Sequence, residues 1–199
     1  VTDHPIIFSA PMVRALHAGR KTQTRRLATS PLARVAVGDR LYVREAICSG
    51  GTFSDVIDVR YRAHQNASHT EFVEQVPIGA VTPGKPLPAY PKYRPSIHMP
   101  RWASRLTLTV TDVRVERLRS ISEQDAKAEG LETSYIGGLL PSYRGSTDLD
   151  WRIWPDDAFG DLWGSLHTKE GERWSDDPEV VALTFTVAHG NIDRIKGDA

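Results

Sequence analysis

The densest group of chemically capable side chains is the run Gly19-Arg20-Lys21-Thr22-Gln23-Thr24-Arg25-Arg26. Lys21 is surrounded there by three guanidinium groups, and like charge disfavours the ammonium form and lowers its pKa. A neutral amine beside a hydroxyl is a base beside a nucleophile. In an extended chain Thr22, Thr24 and Arg26 point to one face and Gln23 and Arg25 to the other, so a hydroxyl and a guanidinium share a face next to Lys21. The competing chemistry for the same run is a basic hairpin that touches phosphate.

Other candidates are more dispersed. His98, in Ser96-Ile97-His98-Met99-Pro100, can reach a ligand from a proline-rich loop or anchor that loop. Trp102, between Arg101 and Arg105, can stack on a base or pack in the core. Trp151, Trp154, Trp163 and Trp174 are expected as core or loop anchors, and Cys48 as a small buried residue. His64 and His69 have no third ligand at a fitting spacing, so no metal site is expected, and no cofactor.

The elements that must position these groups are readable from periodicity and caps. Ser9 to Gly19 reads as a short helix with Pro11 in its first turn, and the chain turns at Arg20-Lys21 into a strand over 22–27. Further strands are expected at 41–47, 56–63, 106–118 and 180–187. The third of these carries a bulge near Thr111-Asp112, where the apolar parity changes. Ser122 caps a short helix that ends at Glu129-Gly130, and a Trp-rich helix runs from about 156 to 166. Seven of the 13 prolines fall between Pro77 and Pro100, so 64–100 is expected as a long excursion outside the core that borders the mouth of the site. Strands and helices do not alternate as βαβ units, which indicates an α+β fold, a small and mostly antiparallel barrel with short helices packed outside.

Composition bounds the function classes. The 199 residues carry 25 basic and 25 acidic groups, enough chain for one domain spanning 1–199 with a sizeable core. The charges segregate, with +5 over 1–62, +4 over 63–119 and -9 over 120–199, so one face is expected to be electropositive. The basic residues are 19 Arg and 6 Lys, a skew that suits planar recognition of phosphate, carboxylate or base edges. A single cysteine leaves no internal disulfide and no thiolate zinc cluster. No apolar run of membrane-spanning length and no secretory leader are present, so a cytoplasmic protein with no membrane partner is expected.

The motif G-R-K-T-x-T-x-R after a short helix, then Gly38-Asp39 opening a strand, then Ala126-Lys127-Ala128-Glu129-Gly130, resembles the ASCH domain family. That family has a PUA-like β-barrel fold linked to RNA and nucleobase chemistry, and it includes small bacterial N4-acetylcytidine amidohydrolases. The resemblance covers the motifs and their flanking strands, and the segments at 64–100 and 131–155 are insertions relative to it. It implies a catalytic set of Lys21, Thr24 and Glu129 acting on a small pyrimidine base or nucleoside acylated at N4. In that scheme Thr24 attacks the acyl carbonyl, Lys21 takes its proton, and Glu129 orients Lys21 or relays protons. Arg26 or turn N–H groups serve as oxyanion donors. Direct attack by water with Glu129 as base is the alternative within the same site. From a different class, the same resemblance implies an RNA-binding module or ribonuclease whose Arg-rich turn contacts phosphates.

Overall fold

The structure, a computed structural model, describes residues 1–64, 73–81, 86–145 and 148–195. In chain order its elements are β1 (Asp3–Ile7), α1 (Ala10–His17), β2 (Gln23–Leu27), β3 (Arg40–Arg44), β4 (Ile47–Thr52), β5 (Val56–Tyr61) and β6 (Val73–Pro77). These are followed by β7 (Leu106–Arg117), α2 (Glu123–Ala128), β8 (Glu132–Ile136), β9 (Leu140–Arg144), α3 (Pro155–Leu166) and β10 (Glu179–His189), with short 3-10 turns between them.

Two long strands organise the main sheet. β7 and β10 pair antiparallel along their whole length, and the register slips where Thr184 faces Asp112 and Phe185 faces Val110, leaving Thr111 as the extra residue. This is the bulge expected at Thr111-Asp112, and it lets the buried parity of Leu106, Leu108 and Val110 change along one strand. β3 joins the other edge of β7 and β2 the other edge of β10, while β1 lies parallel to β3, giving the order β1-β3-β7-β10-β2. A parallel pair needs a crossover, and α1 with β2 lies within that connection. β4, β5 and β6 form a second, antiparallel sheet, and β8 with β9 forms a hairpin.

The result is an α+β fold made mostly of strands. Its ladders differ from the expected barrel: among the described residues the sheets stay separate, and β1 and β2 end the main sheet without closing it. The larger core joins α1, α3 and the main sheet through Leu16, Leu108, Phe159, Trp163 and Leu183. A smaller one lies against the second sheet, built from Ile47, Val59, Tyr61, Val76, Met99 and Trp102. The 64–100 stretch is therefore not wholly outside the core. Val73 to Pro77 pairs with β5, and Val76 is buried, because the prolines start only at the last residue of that strand.

Candidate active site

The Gly19–Thr22 turn and the end of α2 are held together by backbone first. Arg20 and Lys21 donate their N–H groups to the carbonyl of Ala15, which stops α1, and Thr22 donates to the carbonyl of Ala128. Lys21 and Glu129 form an antiparallel bridge, and the Arg20 guanidinium donates to the carbonyls of Gly130 and Leu131 at 3.0 Å each. Ser122 caps α2 by accepting from Asp125 N–H, as expected. Gly130 ends it with φ +94°, and a Cβ there would lie 2.8 Å from Lys21 Cβ and 2.9 Å from Ala15 Cβ. Only glycine allows the helix end to approach this closely.

This packing buries a charged cluster. Lys21 Nζ donates to Glu129 Oε2 at 2.9 Å, to the Glu129 carbonyl at 2.7 Å and to the Gln23 carbonyl at 2.9 Å. Arg25 donates to Glu129 Oε1 at 3.2 Å, to Glu116 and to Asp125. Two carbonyls that can only accept and a carboxylate also held by Arg25 define an ammonium facing a carboxylate. Burial pulls the Lys21 pKa below the usual lysine range, the Glu129 carboxylate opposes that pull, and Arg26 and Arg25 add to it. Lys21 at rest is thus the conjugate acid of the expected neutral base, one proton transfer across 2.9 Å from Glu129.

The other face of β2 behaves as its alternation requires. Arg26 donates to Thr24 Oγ1 at 2.7 Å, to its neighbour's carbonyl and to Ile7 O, while Gln23 and Arg25 are bonded to each other on the opposite face. The Phe8 ring lies under both cations of this face, 5.3 Å from Lys21 Nζ and 5.1 Å from the Arg26 guanidinium carbon.

Lys21, Thr24, Arg25, Arg26 and Glu129 line one cavity of about 440 Å³. Its opposite wall is α3, through Phe159, Leu162, Trp163 and Leu166, and His167 continues that wall beyond the helix. Ser9 lines it too. It stands at the N-cap position of α1, but its hydroxyl makes no capping hydrogen bond.

Two expected binding residues lie elsewhere. Trp102 is buried in the smaller core, next to a different hollow bordered by Arg101 and Asn191, so it packs and does not stack on a ligand of this cavity. His98 is exposed and does not line the cavity; among the described residues of the 64–100 stretch, Ser96, two residues earlier, is the one that does. Trp154 and Trp151 are exposed, not anchored in the core, and Trp151 instead carries the Arg144 guanidinium 4.4 Å from its ring. Cys48 is buried. His69 lies outside the described residues. His64 packs with His17 and His189 around a separate hollow of about 520 Å³, with Arg105 and Glu74. Among the described residues no group of three His, Cys, Asp or Glu side chains is arranged to hold a metal, and no helix is long and apolar enough to cross a membrane.

The residues that sequence reasoning missed are on α3. Phe159, Leu162, Trp163 and Leu166 recur at helical spacing, a signal that reads as a core stripe, and nothing in it distinguishes a core face from a cavity wall. No family model, curated protein or solved structure matches the chain.

Proposed function

We propose that the chain is an ASCH-type, PUA-like amidohydrolase that removes acyl groups from N4 of cytosine, cytidine or deoxycytidine. The observation that carries this reading is one cavity with a threonine hydroxyl, a guanidinium on that hydroxyl and a buried Lys–Glu pair on its floor, facing an aromatic and aliphatic wall. A volume of about 440 Å³ suits a nucleoside-sized ligand, and a flat pyrimidine fits an apolar wall with a few convergent polar groups. The N4 nitrogen of an acylcytosine is conjugated into the ring, so it leaves more readily than an alkylamine and needs less acid assistance.

In this scheme Lys21 passes a proton to Glu129 and becomes the amine that accepts the Thr24 proton as Oγ1 attacks the acyl carbon. Arg26, already donating to Oγ1, stabilises the negative charge that develops on the substrate oxygen. The proton held by the Lys–Glu pair then goes to N4 as the carbon–nitrogen bond breaks. The polynucleotide reading has less support, because many of the arginines are engaged within the protein. Arg25, Arg40, Arg101, Arg105 and Arg152 hold carboxylates, and Arg14, Arg20, Arg44 and Arg117 hold carbonyls.

The test is to incubate the metal-free protein with N4-acetylcytosine, N4-acetylcytidine and N4-acetyldeoxycytidine and follow the ultraviolet shift to the deacylated base. Turnover of at least one, lost in Thr24→Ala, is expected. No turnover of any of the three overturns the reading.

A further inference from the structure

Every donor of Lys21 Nζ and both carboxylate oxygens of Glu129 are already occupied at the cavity floor, and the Thr24 side chain beside them is buried. Hydrolysis through a Thr24 ester needs a proton acceptor a second time, for the water that releases the acyl group. Among the residues lining the cavity, Leu166 at the end of α3 is 63 % exposed, so this part of its wall meets solvent.

His167 stands at that end. Its ring is stacked on Trp163, with centroids 3.9 Å apart and planes 12° from parallel, and its Nδ1 is 3.3 Å from the Trp163 carbonyl oxygen. A carbonyl oxygen only accepts, so the hydrogen of this contact is on Nδ1, and a neutral ring then carries its lone pair on Nε2. Burial holds the His167 pKa below the usual histidine range. The Trp163 carbonyl and Glu172 oppose that shift and Arg26 reinforces it, so the imidazole is neutral at neutral pH. Among the described residues no hydrogen bond occupies Nε2. Stacking fixes the plane of the ring and the carbonyl fixes its tautomer, which is how a neutral histidine is kept ready as a base.

We propose, resting on the amidohydrolase reading above, that His167 Nε2 accepts the proton of the hydrolytic water in the second half of the reaction. The water oxygen bonds to the acyl carbon of the Thr24 ester while its proton moves to Nε2. The carbon–Oγ1 bond then breaks, the imidazolium returns the proton to Thr24 Oγ1, and a carboxylic acid leaves with both side chains restored.

The test is His167→Asn, whose amide NH2 occupies the place of Nδ1–H and can keep the bond to Trp163 O while nothing replaces Nε2. Mixed rapidly with N4-acetylcytidine, this variant is expected to release one cytidine per protein in a fast phase. It then turns over about 10²- to 10⁴-fold more slowly than the parent, the range for loss of a general base. Mass spectrometry of the intact variant should find one acetyl group added, located on Thr24, and added imidazole should restore the slow phase. His167→Gln, which fills the ring's outer end instead, should give the same burst and guards against a folding failure of the first variant. Turnover at the parent's rate, or equal loss of the burst and the slow phase in a folded variant, overturns the role of His167 while leaving the reading of the site intact. A parent protein that releases no cytidine overturns that reading, and this inference with it.

Discussion

Replacing Lys21 by methionine keeps the volume of the side chain and removes its charge and its three hydrogen bonds. Lys21 is 2 % exposed and Glu129 3 %, so the carboxylate left behind cannot recover water. Removing one partner of a buried pair costs about 3–5 kcal/mol, and the Arg25 contact to Glu129 Oε1 at 3.2 Å places the expected loss near about 3. Glu129→Leu alone strands an ammonium close to Arg25 and Arg26 and should cost a similar about 3–5 kcal/mol. The double variant strands no charge. What remains is two carbonyls without their donor, about 1–3 kcal/mol each, against about 6–8 kcal/mol for the two single variants added together, so a coupling of about 3 kcal/mol is expected at the middle of these ranges. Urea unfolding followed by tryptophan fluorescence at pH 7 measures all four corners of this cycle. A typical domain stability of about 5–15 kcal/mol leaves Lys21→Met folded, so its loss of turnover can be read as chemistry. Single variants that cost under about 1 kcal/mol, or that add without coupling, would refute the view that Lys21 and Glu129 are ionised against each other in a dry site.

Gly130→Ala must carry a Cβ at φ +94° into Lys21 and Ala15, and should lower stability by about 2–4 kcal/mol while shifting Lys21 enough to reduce turnover in the folded fraction; thermal denaturation with parallel assays checks both. Phe159→Ala, opening the apolar wall at a buried position, should cost about 3–5 kcal/mol and raise KM more than it lowers kcat. His98→Ala should leave kcat/KM within about twofold, since His98 lies off the cavity in an exposed position; a larger loss would return it to the site. His17 is driven down to about 3, first by burial and then by Arg105, His64 and His189. The unfolded chain therefore binds a proton there that the folded one does not between pH 6.5 and 3. Stability should fall as the pH is lowered across that window by up to about 1.4 kcal/mol per unit from this residue, and His17→Gln should flatten the dependence in urea titrations at pH 7 and pH 5.

What was legible in the sequence is local. The Gly19 turn, the Ser122 cap, the Glu129-Gly130 stop and the Thr111 bulge each announce themselves within a few residues, and each is in the structure. The strands that were missed lack the usual signals for physical reasons. β1 contains Pro5 and is tolerated because it is an edge strand. β4 contains Gly50, which reads as a turn, yet a Cβ there would come within 2.6 Å of the Arg60 side chain lying across it. The β8–β9 hairpin is exposed over β8, so it shows no alternation of buried and open positions. The meeting of Lys21 with Glu129 spans 108 positions, beyond the reach of any local pattern, and only the resemblance pointed to it. The placement of Trp102 was open because a tryptophan between arginines suits a core edge as well as a ligand, and the second sheet that covers it includes a strand the sequence did not show.

The two sides of the cavity have different origins along the chain, and this has an engineering consequence. The floor joins residues between 7 and 26 with Glu129, so any change there disturbs several elements at once. The facing side is almost entirely one continuous stretch, 159–167, entered from an exposed segment at 150–154 and left through exposed residues at 168–171. A library confined to 159–166, with His167 kept, would vary which molecules the pocket admits while every proton-handling group stays as it is. By the same logic, drift within this one helix could separate descendants with different ligands and identical floors.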